Sequence, residues 1–283
     1  MYFYKHYKMN TIPFTLTRYL YIKEDVMMSL IISVFEKDYD RALFWASELY
    51  YSGYTQETAL FIVSLYDNFY RPYNPKLLSL VYTLKTTDSF EKIPTILKNL
   101  TSRPRKYSLQ YFMQRNPYPD IEPDAHKKET SLHICAPKED EIKYGLHNMK
   151  EKTYNILKKV CKYGTTSKCA QVFECGYINK TNNEITKLQL ENWLYYASFS
   201  PLWKERIEEY NGSIDHEKEC VHFEDEPFEM FHNNYDYELD EQSKEILEKL
   251  THINRNYYTI NDFYKKFEPN LKIHIVKKSK LNK

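Results

Sequence analysis

Residues 24–37 have the sequence EDVMMSLIISVFEK, which carries a clear helical pattern. Its apolar side chains recur at positions i, i+3, i+4 and i+7, so they lie along one face of a helix. An apolar face of this kind must pack against other elements, and we therefore expect a helical core built around it. The residues that form this face are Met27, Leu30, Ile31 and Val34.

The same spacing recurs after this segment and predicts a helical domain over residues 1–100. Short turns join the predicted helices, and no residue-level repeat relates them. A mainly α fold follows, with an antiparallel helical bundle and an irregular helical array as open alternatives. The further helices are predicted to begin near Ala42, at Thr55, at Asn74–Pro75 and at Asp88, with Pro94 as a second candidate for the last start.

The predicted helix from Thr55 is apolar on most sides, so we expect it to be the central helix of this domain. The apolar faces of the first three helices are expected to meet in one buried core. The side chains predicted to share that core are Leu30, Trp45, Leu49 and Val63.

The composition of the 283 residues limits the function. Lys plus Arg total 40 against 39 for Asp plus Glu, and this net charge of +1 excludes a globally basic nucleic-acid binder and a globally acidic solvating chain. With 5 glycines, loops that cradle a phosphate by close backbone approach are disfavoured. The sequence contains no P-loop, dinucleotide fingerprint, HExxH or GxSxG motif. We therefore predict no catalytic residue and no cofactor.

Residues 101–137 are predicted to be a Pro-rich connector. Basic side chains alternate there with aromatic ones, a pattern that can neutralise the phosphates and stack on the bases of single-stranded nucleic acid. The alternative is a surface linker whose aromatic side chains pin it to the helical domain. The nucleic-acid hypothesis also uses the lysine-rich tail, and its residues are Arg103, Arg105, Lys106, Arg115, Lys277 and Lys278.

Residues 138–283 are predicted to form a less regular, α-rich domain with room for one short sheet. Ser200 followed by Pro201 is a typical helix start, and the helix after it is expected to bury Trp203 and Ile207. The predicted helices cover residues 153–162, 185–197, 201–210 and 243–253, and strand-like segments cover residues 131–135 and 169–178.

Residues 215–241 contain eleven acids and one lysine, a net charge of −10, while the tail 272–283 has a charge of +5. Burying an unpaired carboxylate is costly, so we predict a surface loop largely without regular structure. The tail either folds back on this loop or binds a phosphate-bearing or acidic partner. The aromatic and methionine side chains expected to anchor the loop are Phe223, Phe228, Met230 and Phe231.

Cysteines and histidines in the second half suggest a zinc site, since thiolate and imidazole suit tetrahedral zinc. Their spacing includes no two-residue CxxC knuckle, so buried free thiols are the favoured alternative and no metal site is predicted outright. The six zinc candidates are Cys161, Cys169, Cys175, His216, Cys220 and His222.

Two blocks of the chain resemble uncharacterised proteins of nucleocytoplasmic large DNA viruses, the giant-virus group. The first is RALFWASELYYSG at residues 41–53 with FYRPYNP at 69–75, and the second is WLYY at 193–196 with SPLWKER at 200–206. The resemblance implies a viral source and replication in a eukaryotic host, so we expect the host cytoplasm, a viral factory or the virion as the location. It implies no activity.

Two functional hypotheses follow. The first is a non-enzymatic helical scaffold that binds protein partners in a virion or in a viral transcription or replication assembly, because tyrosine and tryptophan are enriched in interfaces. The second is a nucleic-acid accessory factor. No secretion signal is recognisable at the amino terminus, so we expect an unsecreted chain. The longest apolar run, residues 26–35, is too short for a membrane span. The sequence does not determine the oligomeric state.

Overall fold

The computed structural model describes residues 14–105, 134–145, 151–166, 180–251 and 265–267. It confirms the predicted mainly α fold, because the regular structure of these residues is helical except for one two-stranded antiparallel sheet. Among the described segments, no helix reaches the length and hydropathy of a membrane span.

Residues 14–105 form five α-helices near the predicted positions. Asp38 caps the second helix by accepting the N–H of Arg41 at 3.0 Å. The fifth begins at Ile93, so Pro94 in its first turn marks the start, and Asp88 does not. The helices are α1 (Lys23–Phe35), α2 (Tyr39–Tyr51), α3 (Thr55–Leu65, extended by a π-turn at Tyr66–Tyr70), α4 (Leu78–Tyr82, after a 3-10 turn at Pro75–Leu77) and α5 (Ile93–Ser102, after a 3-10 turn at Phe90–Lys92).

The centre of this array is α1, because every side chain from Asp25 to Phe35 is buried. The prediction that the third helix is central is wrong, since α3 leaves Gln56 exposed and Leu60 partly exposed. Serines make an all-round burial of α1 possible: the hydroxyls of Ser29 and Ser33 donate to carbonyls one turn back, at 2.7 and 2.6 Å. The predicted shared core is confirmed, and its members Leu30, Trp45, Leu49 and Val63 are at most 4% exposed.

The second half has shorter elements. Ser200 caps the helix predicted over residues 201–210 by accepting the N–H of Trp203 at 3.4 Å, and Trp203 and Ile207 are buried as predicted. The elements are α6 (Ile156–Val160), α7 (Asn182–Glu191), α8 (Trp193–Ala197), α9 (Pro201–Glu209), β1 (Ser213–Asp215), β2 (Cys220–His222), α10 (Asp225–Tyr235) and α11 (Lys244–Leu250).

Buried apolar side chains form one cluster that extends from Phe14 to Leu250. Buried hydrogen bonds tie the segment before α1 to the second half: Trp203 Nε1 donates to the Thr17 carbonyl at 3.1 Å, and Gln189 Nε2 donates to the Leu20 carbonyl at 2.6 Å. The early and late helices therefore share a core.

An ion pair between Arg18 and Glu48 lies inside this core, with 1% and 0% of the side chains exposed and 2.9 Å between Nε and Oε2. Glu48 also accepts from the Thr17 hydroxyl at 2.6 Å and from the Tyr19 N–H at 3.0 Å, while Arg18 donates to the Tyr144 carbonyl at 2.6 Å. These additional hydrogen bonds offset the cost of burying two charges.

The acidic stretch is more regular than predicted, and the expectation of a largely irregular loop is wrong. Residues 213–222 form the hairpin of β1 and β2, and α10 follows. Two features explain why this stretch is ordered. Phe231 is fully buried and anchors α10 to the core. The acidic side chains in the first turn of α10 also interact favourably with the positive end of the helix dipole. Phe223 is partly buried, whereas Phe228 and Met230 are exposed and do not act as anchors.

Several predictions fall outside the described residues. They concern the strand-like segment 169–178, residues 131–133 of the other such segment, most of the connector and the basic tail 272–283. Residues 134–137 are described and form neither helix nor strand.

Candidate metal centre and acidic surface

The hairpin brings three metal-ligating side chains to one face. β1 and β2 pair antiparallel, with Asp215 opposite Cys220 and Ser213 opposite His222. Paired residues lie on the same face of a sheet, and so do residues two apart along a strand. Asp215, Cys220 and His222 are therefore neighbours.

The ligand atoms of this trio lie within 4.8 Å of one another. Cys220 Sγ is 3.2 Å from His222 Nε2, and the same nitrogen is 3.6 Å from Asp215 Oδ2. The His222 side chain is 53% exposed and that of Asp215 26%, so the face is open to solvent. These distances place a thiol, an imidazole nitrogen and a carboxylate oxygen around one point.

Neighbouring elements fix the hairpin turn. Asn192 Nδ2 donates to the Glu219 carbonyl at 3.0 Å, and the Tyr196 hydroxyl donates to Glu219 Oε2 at 3.0 Å. Inside the turn, the backbone N–H groups of Lys218 and Glu217 donate to Asp215 Oδ1 at 3.0 and 2.9 Å and lower the pKa of that carboxyl. The Asp215 carboxylate is thereby oriented before any ligand binds.

Close packing also fixes where the hairpin begins. A β-carbon added at Gly212 would lie 2.5 Å from Phe223 Cε1 and 2.6 Å from Ile207 Cγ2, so a larger residue at 212 would force these two side chains to shift.

The structure unites two of the six zinc candidates, Cys220 and His222. His216 lies elsewhere in the turn, with Nδ1 3.4 Å from the Tyr195 hydroxyl. Cys161 is 2% exposed in the core, where burial raises the pKa of its thiol to about 12. Among the described residues, these two candidates do not join the cluster, and Cys169 and Cys175 lie outside the described segments.

Sequence reasoning missed Asp215 as a ligand because it counted this residue only as one charge of an acidic stretch. The signal was the spacing Asp-x4-Cys-x-His between residues 215 and 222, which becomes meaningful once a four-residue turn is recognised between the strands.

The helix after the hairpin presents what we call the acidic surface, a group of exposed carboxylates with two exposed apolar side chains. Phe228 is 47% and Met230 51% exposed, and they flank Glu229 along the helix. Next to Phe228 on the helix, Phe231 is buried and stacks on Phe223 with ring centroids 4.7 Å apart. The acidic surface comprises Glu224, Asp225, Glu226, Phe228, Glu229 and Met230.

The two nucleic-acid candidates that the structure describes both contact the helical part of the protein. Arg105 Nη2 donates to the Phe35 carbonyl at 2.6 Å, and its guanidinium lies 4.7 Å from the Phe35 ring centre. Arg103 Nε donates to Asn99 Oδ1 at 3.1 Å. Lys106, Arg115, Lys277 and Lys278 lie outside the described residues, so the nucleic-acid hypothesis stays a prediction for them.

A second polar cluster surrounds Asp40 on α2, and it too was missed by sequence reasoning. Its carboxylate accepts from Lys143 Nζ at 2.7 Å, from the Tyr144 hydroxyl at 2.9 Å, from Lys162 Nζ at 2.5 Å and from the Tyr163 hydroxyl at 2.6 Å. Burial alone raises the pKa of Asp40, but these donors outweigh it and lower the pKa. The chain's own donors surround the carboxylate, so we interpret this cluster as a tether of the segments around residues 143 and 162 to α2.

A third cluster lies at the amino ends of α1 and α3. Lys23 Nζ is 2.7 Å from Glu57 Oε2 and 4.1 Å from the Tyr54 ring centre. Glu24 Oε2 and the Tyr54 hydroxyl are buried and have no hydrogen-bond partner among the described residues. Burial raises the pKa of Glu24 to about 7, so this carboxyl changes charge near neutral pH.

The chain matches no protein-family model, no curated protein and no solved structure. The sequence blocks at residues 41–53 and 200–206 both contribute to the core of this fold, since Trp45 and Trp203 are fully buried.

Proposed function

We propose that this chain is a helical scaffold that binds a protein partner with a basic, partly apolar segment, and that the partner docks on the acidic surface. The observation that carries the proposal is the exposure of Phe228 and Met230 on an ordered helix, among carboxylates that have no lysine or arginine beside them in sequence.

The chemistry of the acidic surface selects the partner. Methionine and aromatic side chains are enriched in the centres of protein interfaces, and charged rims steer partners of opposite charge. Glu226 and Glu229 repel phosphate groups, which makes a basic protein segment a better occupant than nucleic acid. Because α10 is already folded, it loses little conformational entropy when a partner binds.

The resemblance to proteins of large DNA viruses supports the setting of this proposal. The scaffold would act within a virion or within a viral transcription or replication assembly in the host cytoplasm. The mainly α architecture is compatible with that role, since helical arrays commonly serve as binding scaffolds.

Binding of a fluorescent helical peptide of lysine and leucine to the full chain tests the proposal. The variant Glu226→Lys/Glu229→Lys should weaken binding about tenfold or more, because each reversal replaces an attraction by a repulsion. The matched control is Glu91→Lys/Glu139→Lys, which changes the net charge equally at two exposed positions outside the acidic surface. The control should bind almost as tightly as the unchanged chain.

The same assay contains the outcomes that contradict the proposal. Equal weakening in both double variants would show that only net charge matters. Competition by single-stranded DNA would favour a nucleic-acid partner, and competition by a peptide of residues 272–283 would show that the chain's own tail fits this surface.

A further inference from the structure

We infer that the hairpin formed by β1 and β2 is a Zn²⁺ site, in which Asp215, Cys220 and His222 each supply one ligand atom. The inference does not depend on the proposed partner. It replaces the six candidates suggested by sequence with a trio that the strand pairing brings together.

The donor set favours zinc over other common cations. Zinc binds thiolate sulfur, imidazole nitrogen and carboxylate oxygen in the same site, whereas Ca²⁺ and Mg²⁺ prefer oxygen ligands alone. A thiolate from Cys220 together with the imidazole of His222 therefore points to zinc, and Asp215 adds a second negative charge to balance the ion.

The distances fit tetrahedral coordination. Zinc bonds of about 2.0 to 2.3 Å at tetrahedral angles place neighbouring ligand atoms about 3.3 to 3.6 Å apart. The separation is 3.2 Å between Cys220 Sγ and His222 Nε2, and 3.6 Å between that nitrogen and Asp215 Oδ2. Side-chain adjustments of less than about an ångström would therefore suffice for these two pairs.

The same distances argue against a nucleophilic triad. In a Cys-His-Asp triad the thiol contacts one ring nitrogen and the carboxylate orients the other. Here Cys220 Sγ and Asp215 Oδ2 both approach Nε2 of His222. Convergence of all three groups on one point is the arrangement of a metal site.

The turn prepares the site for a cation. Asp215 Oδ1 is held by two backbone N–H groups, while Oδ2 faces His222 Nε2 and lies 3.5 Å from Lys218 Nζ. Lys218 is 72% exposed, so its ammonium can move into solvent when a divalent ion binds to Oδ2. Three protein ligands leave the fourth position of a tetrahedral ion to water, since the face is open.

The test is metal binding by the full, reduced chain after chelator treatment. Competition between the unchanged protein and a chromophoric zinc chelator should show that the protein binds one equivalent of zinc. Replacement by Co²⁺ should show a thiolate-to-cobalt charge-transfer band. Cys220→Ser and His222→Ala should each lower zinc affinity by about a hundredfold or more, because each removes a direct ligand.

Matched controls separate this site from others. Cys135→Ser removes an exposed free thiol elsewhere, and His216→Ala removes the histidine next to Asp215, so both should leave zinc affinity unchanged. Circular dichroism of each variant shows whether the chain is folded. Less than half an equivalent of zinc in the unchanged, folded chain overturns the inference, and so does a cobalt band that survives in folded Cys220→Ser.

Discussion

Gly53 packs directly against Pro201: a β-carbon added at residue 53 would lie 2.5 Å from Pro201 Cβ. Next to this contact, the N–H of Leu202 donates to the Ser52 carbonyl at 3.2 Å. The end of α2 therefore abuts the start of α9, so residues 41–53 and 200–206, which are far apart in sequence, meet in space.

The contact predicts that Gly53→Ala is strongly destabilising. Gly53 has φ +93°, a left-handed conformation that disfavours alanine, and the new methyl group would also clash with Pro201. We expect a loss of about 2 to 4 kcal/mol in the free energy of unfolding, measured with urea. Gly145→Ala is the control, because its φ is not positive. Equal losses in both variants would contradict the assigned contact.

Trp45→Ala should also destabilise the fold. The indole is fully buried and makes edge contacts with the rings of Tyr21 and Phe44 at centroid distances of 5.1 and 4.8 Å. We expect about 3 to 5 kcal/mol, or failure to fold. Tyr73→Ala, at a position 58% exposed, should cost less than about 0.5 kcal/mol. A mild effect of Trp45→Ala would mean that the helix phase is wrong.

The buried pair of Arg18 and Glu48 should show strong coupling. Arg18→Met leaves a buried carboxylate without its cation, so we expect a loss of about 3 to 5 kcal/mol in the free energy of unfolding. The double variant Arg18→Met/Glu48→Leu should cost clearly less than the sum of the single variants. A double-mutant cycle measures this difference, and simple additivity would disprove the coupling.

Glu24 should make stability depend on pH. Its pKa is raised from 4.5 to about 7 by burial, so the folded state holds a proton that the unfolded state has lost. The stabilisation is complete below about pH 4.5 and is lost as the pH rises toward 7, by at most about 3 kcal/mol.

The variant Glu24→Gln isolates this effect because glutamine does not titrate. Its free energy of unfolding should change less between pH 4.5 and 7 than that of the unchanged chain. Parallel curves for the two proteins would show that Glu24 ionises as it does in water.

The helices could be predicted from sequence because their signals are local. Apolar spacing and the cap at Ser200 involve residues within one or two turns, and they located α1 to α3 and α9 within a few residues. Which helix lies at the centre of the array, however, depends on all the elements that pack around it. The helix chosen as central was α3, although serines on α1 allow that helix to be buried on all sides.

The metal trio and the order of the acidic stretch depend on longer-range relationships. Strand pairing places Asp215 beside Cys220, and composition alone does not reveal this register. Likewise, the charge of −10 over residues 215–241 suggested a loop, but the buried Phe231 and the neighbouring Tyr235 both pack α10 against Trp203 and Tyr210.

The central claim is that a basic partner docks on the acidic surface, and methyl NMR tests it most directly. The full chain, labelled at the methyl groups of its 7 methionines, is titrated with the lysine and leucine peptide, and the Met230 signal is assigned with Met230→Leu. The account predicts that the exposed Met230 signal shifts while the signals of buried Met27 and Met28 stay. A peptide that saturates the protein without moving the Met230 signal would contradict it.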